Sequence, residues 1–152
     1  MIDSDGPPTL EEGHCDVSGK SDVHEGGCLC KRVRYRAHGE PLEAFACHCT
    51  ACQRRTGSAF AIEVFFKDEQ IEFMGARPTE FEQRSDESGR WLRLAFCPTC
   101  GSSIGLTAER RPGQRAVTGG TFDDPNWFRV GRHIWTRSKL PWVEIPEGVE
   151  RS

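Results

Sequence analysis

Residues 45–57 read FACHCTACQRRTG and place Cys47, Cys49 and Cys52 within six positions. Two cysteine pairs flank this stretch, Cys28 and Cys30 before it and Cys97 and Cys100 after it. Four thiolates delivered as two close pairs suit tetrahedral zinc, because each pair fixes two corners and folding brings the pairs together. The outer pairs are therefore expected to close a structural zinc site, although the first pair is CxC rather than CxxC. The central trio offers three thiolates, so a second zinc there is expected to keep one coordination position free for chemistry.

The sequence around the cysteines has the period of strands. Val33, Tyr35 and Ala37 alternate with Arg32, Arg34 and Arg36, as in a strand with one face in water, and the same period puts Cys28 and Cys30 on one face. Ala44 to Cys49 reads as the next strand, with Cys47 and Cys49 on one side and His48 on the other, which makes His48 a packing or supporting residue. Thr50 to Arg55 fits one helical turn that would return Cys52 to the other thiols. Further strands are predicted at 59–66, 70–73, 79–84 and 91–96, the last running into Cys97-Pro98-Thr99-Cys100-Gly101, where glycine permits a tight backbone around sulfur. Short strands at 103–106 and 115–122, the second interrupted at Gly119-Gly120, precede aromatic segments at 133–135 and 142–145. The predicted fold class is mainly β, with several short antiparallel sheets stapled by zinc and little helix.

At 152 residues the chain suits one domain. Residues 1–25 hold seven acids against Lys20 alone and read as a flexible acidic tail, whereas residues 26–152 carry a net +3 and read as the zinc-binding β domain. Cys15 in the tail is expected to be a free thiol. The start of the chain lacks a basic region followed by an apolar one, and no run approaches the roughly 18 apolar residues a membrane helix needs. The expected location is the cytoplasm, with thiols reduced or metal-bound, and no membrane partner. The arginines on one strand face are expected to be solvated, so nucleic acid is not an expected partner.

Three thiolates leave a bound zinc with a formal charge of −1, which makes a zinc-bound water a poor acid and disfavours hydrolysis. Such a soft site instead suits an incoming thiol, held as thiolate beside an electrophile. A fourth ligand from Cys15, His24 or His133 would close the site and remove this reading.

The stretches GGCLCKRVRY (26–35), CHCTACQRRTGS (47–58) and FCPTCGS (96–102), and more loosely GGTFDDP (119–125) and HIWTRSKLPW (133–142), resemble the glutathione-dependent formaldehyde-activating family, whose homologues include centromere protein V. The resemblance implies a β-tent-like fold with structural zinc on Cys28, Cys30, Cys97 and Cys100. It also implies a second zinc on Cys47, Cys49 and Cys52, where glutathione and formaldehyde condense to S-hydroxymethylglutathione, a carbon–sulfur lyase-type activity. Glutathione carries two carboxylates, and Arg54 and Arg55 beside Cys52 are the candidate cations for them. The sequence departs from the family at Lys31, where the first motif usually has glycine. The alternatives are the same scaffold acting on another sulfur compound, or a non-enzymatic zinc module that binds a partner.

Overall fold

The computed structural model describes residues 22–85 and 88–152. Eleven strands and one short helix follow in chain order: β1 Val23–Gly27, β2 Val33–His38, β3 Glu43–Cys47, α1 Thr50–Thr56, β4 Ala61–Lys67, β5 Ile71–Gly75, β6 Thr79–Arg84, β7 Trp91–Phe96, β8 Ser103–Ala108, β9 Gln114–Thr118, β10 Arg132–Ile134 and β11 Glu150–Arg151. They form a three-stranded sheet, β1-β2-β5, and an eight-stranded sheet, β11-β10-β3-β4-β9-β8-β7-β6. The mainly β class expected from the sequence is what the chain adopts. The larger sheet is mixed: β10 runs parallel to both β3 and β11. No described helix is long and apolar enough to cross a membrane.

The period-2 rows decide which face of each sheet is buried. Val33, Tyr35 and Ala37 of β2 point inward and meet Ala44, Val64, Phe66, Val117 and Ile104 from one face of the large sheet. Arg34 and Arg36, on the outer face of β2, pair with Asp123 and Glu25, the solvated arrangement expected of them. The opposite face of the large sheet presents a second apolar cluster: Phe45, Cys47, Phe65, Leu106 and Ala116, with Cys49, Cys52, Leu94 and Ile134 packed around it. Cys47 is thus built into the apolar surface that surrounds the central trio.

Two differences from the sequence reading lie at the start of the fold. The acidic tail was expected to run to residue 25, but residues 22–25 belong to the fold, because Val23 to Gly27 pair with Arg34 to His38. VHEGG has no apolar alternation, being an edge strand whose pairing is carried by the backbone and by the Glu25–Arg36 ion pair. The expected strand across Cys28 and Cys30 is instead the turn between β1 and β2: Lys31 N–H bonds the Cys28 carbonyl at 3.0 Å, and Cys28 N–H bonds the Val33 carbonyl at 3.0 Å.

Tight backbone approach fixes Gly105 in β8. A β-carbon there would overlap the Ala116 carbonyl oxygen on β9. Gly105→Ala should therefore lower stability by roughly 2–3 kcal/mol by prising β8 from β9. Urea unfolding of the variant would measure this, and an unchanged midpoint would count against close approach at that position.

Candidate metal centres

Two turns of matching form bring the outer cysteines together. In the first, Lys31 holds the left-handed backbone (φ 64°) immediately after Cys30; in the second, Gly101 does so (φ 74°) immediately after Cys100. Gly101 N–H bonds the Cys97 carbonyl and Cys97 N–H bonds the Ser102 carbonyl, both at 2.9 Å, repeating the pattern around Cys28. Lys31 therefore keeps the turn that glycine would supply, at the cost of the left-handed strain a side chain brings, of order 1 kcal/mol.

The thiol sulfurs of Cys28, Cys30, Cys97 and Cys100 all lie within 4.8 Å of one another. Cys28 Sγ is 3.5 Å from Cys30 Sγ, and Cys30 Sγ is 3.8 Å from Cys97 Sγ. A tetrahedron of Zn–S bonds has sulfur–sulfur edges of about 3.8 Å, so the donor set fits zinc in kind and spacing. Backbone and hydroxyl groups surround it: Val33 N–H points at Cys28 Sγ (3.2 Å), and Ser102 Oγ lies 3.2 Å from Cys100 Sγ while accepting from Leu29 N–H (3.1 Å). The Ser102 hydroxyl and backbone hold the Cys100 thiol down to about 5, ready to bind metal as thiolate.

The central trio is assembled by the end of β3 and the start of α1. Strand β3 stops at Cys47, two residues short of the expected end. Cys49 then caps α1, its sulfur accepting from Cys52 N–H at 3.4 Å, and Gly57 ends the helix in the left-handed conformation. Seven residues are too few for a helix to stand alone. Tertiary bonds hold it: Gln53 Nε2 donates to the carbonyls of His48 (2.9 Å) and Ser138 (3.0 Å), and Ser138 Oγ donates to the His48 carbonyl (3.1 Å). The left-handed Trp135 (φ 57°) turns the chain so that residues 136–138 reach this loop.

The sulfurs of Cys47, Cys49 and Cys52 lie within 4.8 Å of one another, and among the described residues no fourth ligating side chain joins the group. Hydrogen bonds from the Cys47 and Cys52 thiols lower the pKa of Cys49 strongly, whereas hydrogen bonds with Cys47 and Cys49 raise that of Cys52. The three thiols thus share their protons as one unit. His48 is fully buried beside Phe60, 2.8 Å from His133 Nδ1 through its Nε2, and burial lowers the pKa of both imidazoles. Neither histidine joins the thiol group, and His24 stacks on Trp127. Cys15 lies outside the described residues.

The two arginines proposed from the sequence separate. Arg54 is exposed. Arg55 turns inward, 7% exposed, pairs with Glu63 and donates to Ser103 Oγ, so it is not the free substrate cation expected. Glu63, fully buried on β4, escaped the sequence reading. Its signal was an acid in the inward row of Ala59, Ala61 and Phe65. Burial pushes its carboxyl up to about 7, against the opposing pull of Arg55. Arg111, which the sequence reading left among solvated arginines, and Arg132, which it did not single out, both pair with Glu43 on the face that carries Cys47.

A crystal structure of a Rhodobacter sphaeroides protein matches this fold with a TM-score of 0.52 at 23% identity, over 65% of this chain and 87% of that one. No curated protein matches the chain. The model of the glutathione-dependent formaldehyde-activating enzyme family matches residues 23–138, a span that takes in both cysteine clusters and the Ser138 loop that braces the central one. Over that span and with that fold, the chain belongs to the glutathione-dependent formaldehyde-activating enzyme family.

Proposed function

We propose that the protein joins a small thiol, glutathione first among candidates, to formaldehyde, an S-(hydroxymethyl)glutathione synthase-like reaction of the carbon–sulfur lyase type. The family supports an enzyme of glutathione-linked formaldehyde chemistry, and the observation that carries the finer reading is the central trio, one ligand short among the described residues. Cys28, Cys30, Cys97 and Cys100 would hold a structural zinc, and Cys47, Cys49 and Cys52 a second. Zinc bound by the trio would supply a soft Lewis acid that favours a substrate sulfur as thiolate.

In the balanced reaction the thiol loses its proton, a carbon–sulfur bond forms to the formaldehyde carbon, and the carbonyl oxygen takes up a proton to become the hydroxymethyl group. The chain's own residues prepare the place for it. Cys49 at the cap of α1 accepts from Cys52 N–H, Gln53 and Ser138 fix the loop, and the apolar surface of Phe45, Phe65 and Ile134 limits water around the sulfurs. The seven described cysteines are free thiols, which suits a reducing compartment such as the cytoplasm.

Metal analysis of the wild type and Cys52→Ser tests the two-site reading. Two zinc per chain should fall to about one while the circular dichroism spectrum is retained, and NMR should no longer detect the hydroxymethyl adduct above the buffer rate. Loss of all metal and of the fold would make the central trio structural. Adduct formation no faster than the buffer control with every thiol tried would end the enzyme reading.

A further inference from the structure

Helix α1 is anchored at two places, and the anchors lead in different directions. Gln53 ties it to the carbonyls of His48 and Ser138, within the loop that carries the central trio. Arg55, in the last turn, reaches out of that loop: its Nη2 pairs with Glu63 on β4, and its Nη1 donates to the hydroxyl of Ser103, the first residue of β8. The Arg55 side chain is 7% exposed and that of Glu63 2%, so the bridge lies out of water, where charge-assisted hydrogen bonds are stronger.

Ser103 is also the exit of the outer cysteine turn. In the β7–β8 register it stands opposite Phe96, the residue before Cys97, and so closes the base of the turn that carries Cys97 and Cys100. Its neighbour Ser102 accepts from Leu29 N–H at 3.1 Å, lies 3.2 Å from Cys100 Sγ, and offers its carbonyl to Cys97 N–H at 2.9 Å. Cys52 and Arg55, three residues apart on α1, are neighbours on the helix surface. A run of covalent and hydrogen-bonded links thus leads from a sulfur of the central trio, through Arg55, Ser103 and Ser102, to a sulfur of the outer four.

We infer that Arg55 is a positioning residue that couples the two metal centres, so that filling the central trio strengthens the hold of the outer four thiols on their metal. The inference rests on the two-zinc part of the proposed function and not on its thiol chemistry. With Cys52 drawn into a metal site, α1 is fixed, Arg55 is presented to Ser103, and Ser103 braces the base of the outer turn. With the trio empty, a seven-residue helix loses one of its anchors and the brace slackens. Sites linked in this way strengthen each other reciprocally. The planar guanidinium holds Glu63 with one arm and Ser103 with another, a geometry that the point charge of lysine does not supply.

Isotope exchange reads the coupling while both centres stay full. Protein loaded with natural zinc is placed in an excess of a single heavy zinc isotope, and native mass spectrometry follows replacement of the two ions. The three-thiol centre should exchange first and the four-thiol centre slowly. The slow phase should run about fivefold faster or more in Cys52→Ser than in the wild type, fivefold being the low end of ordinary coupling between sites. In a Ser103→Ala background, Cys52→Ser should leave the slow phase nearly unchanged. Arg55→Lys cuts the same bridge at its other end and should act alike, so the test survives failure of either background to fold. An equal slow phase in wild type and Cys52→Ser would overturn the coupling, and a full difference persisting in both backgrounds would overturn Arg55 as its carrier. A wild type that binds one zinc, or a Cys52→Ser chain that binds none, would overturn it as well. Failure of the thiol reading is a separate result: no adduct from any thiol, with the exchange difference intact.

Discussion

Serine in place of Cys97 should leave the chain without its native fold. Cys97 is 1% exposed, directly follows β7 and packs within the cluster between the two sheets, and its sulfur lies 3.8 Å from that of Cys30 in the β1–β2 turn. A metal held there ties the small sheet to the large one across 66 residues of chain between Cys30 and Cys97. Structural zinc in small metal-binding peptides contributes on the order of 10 kcal/mol, which is comparable with the whole stability of a domain of this size. A serine hydroxyl is a poor zinc ligand, so most of that contribution should vanish. Circular dichroism and zinc content of Cys97→Ser are the measurements. A native spectrum with a thermal midpoint within a few degrees of wild type would show that the four-thiol cluster does not hold the fold together. Cys52→Ser, by contrast, should keep its fold, and the pair of variants separates the two centres by consequence.

The two cysteine clusters were more legible in the sequence than the details of the fold around them. CxxC followed by Gly101 announces its turn, because only a left-handed residue after the second cysteine lets the backbone wrap the sulfur. The partner turn hid the same geometry under Lys31, so alternation in Val33, Tyr35 and Ala37 was extended too far back and laid Cys28 and Cys30 on a strand. Strand β1 was missed because its pairing depends on Tyr35 and Arg36 across the hairpin rather than on its own pattern. The parallel pairing of β10 with β3 joins residues more than 80 apart in sequence, such as Ile134 and Cys47, and no local period reports it. Parity turned His48 away from the thiols, although the strand that argument assumed ends at Cys47, and its partner His133 lies beyond any local pattern. Ion pairs are the least legible of all: Arg55 beside Cys52 looked like a free cation, and only the inward row of β4 identifies Glu63 as its counter-ion.

That pair yields the second large effect, and its sign depends on pH. Arg55 Nη2 and Glu63 Oε1 are in contact under α1, while Arg55 Nε and Glu63 Oε2 have no hydrogen-bond partners. Glu63 has a folded pKa raised from 4.5 to about 7, so between those values the folded chain keeps a proton that the unfolded chain has released. Its contribution to stability is therefore fully present below 4.5, falls as pH rises to 7, and is flat above, a loss of roughly 3 kcal/mol in all. Arg55→Met removes the charge that lets Glu63 ionise and drives its pKa higher, so the fall should continue past pH 7. Relative to wild type, the variant's penalty should be small at pH 6 and clearly larger at pH 9. Arg55→Met with Glu63→Leu removes both charges and should recover most of the loss at pH 9, since a well-packed apolar pair commonly replaces a buried ion pair at little cost. Urea unfolding at pH 6 and 9 reads all three proteins. A penalty equal at both pH values, or a double variant no better than the single, would mean that Arg55 acts through packing alone. Because Arg55 follows Cys52 by three residues on the same short helix, a charge-driven loss should also weaken zinc retention by the central trio in parallel, and chelator competition at pH 9 would detect it.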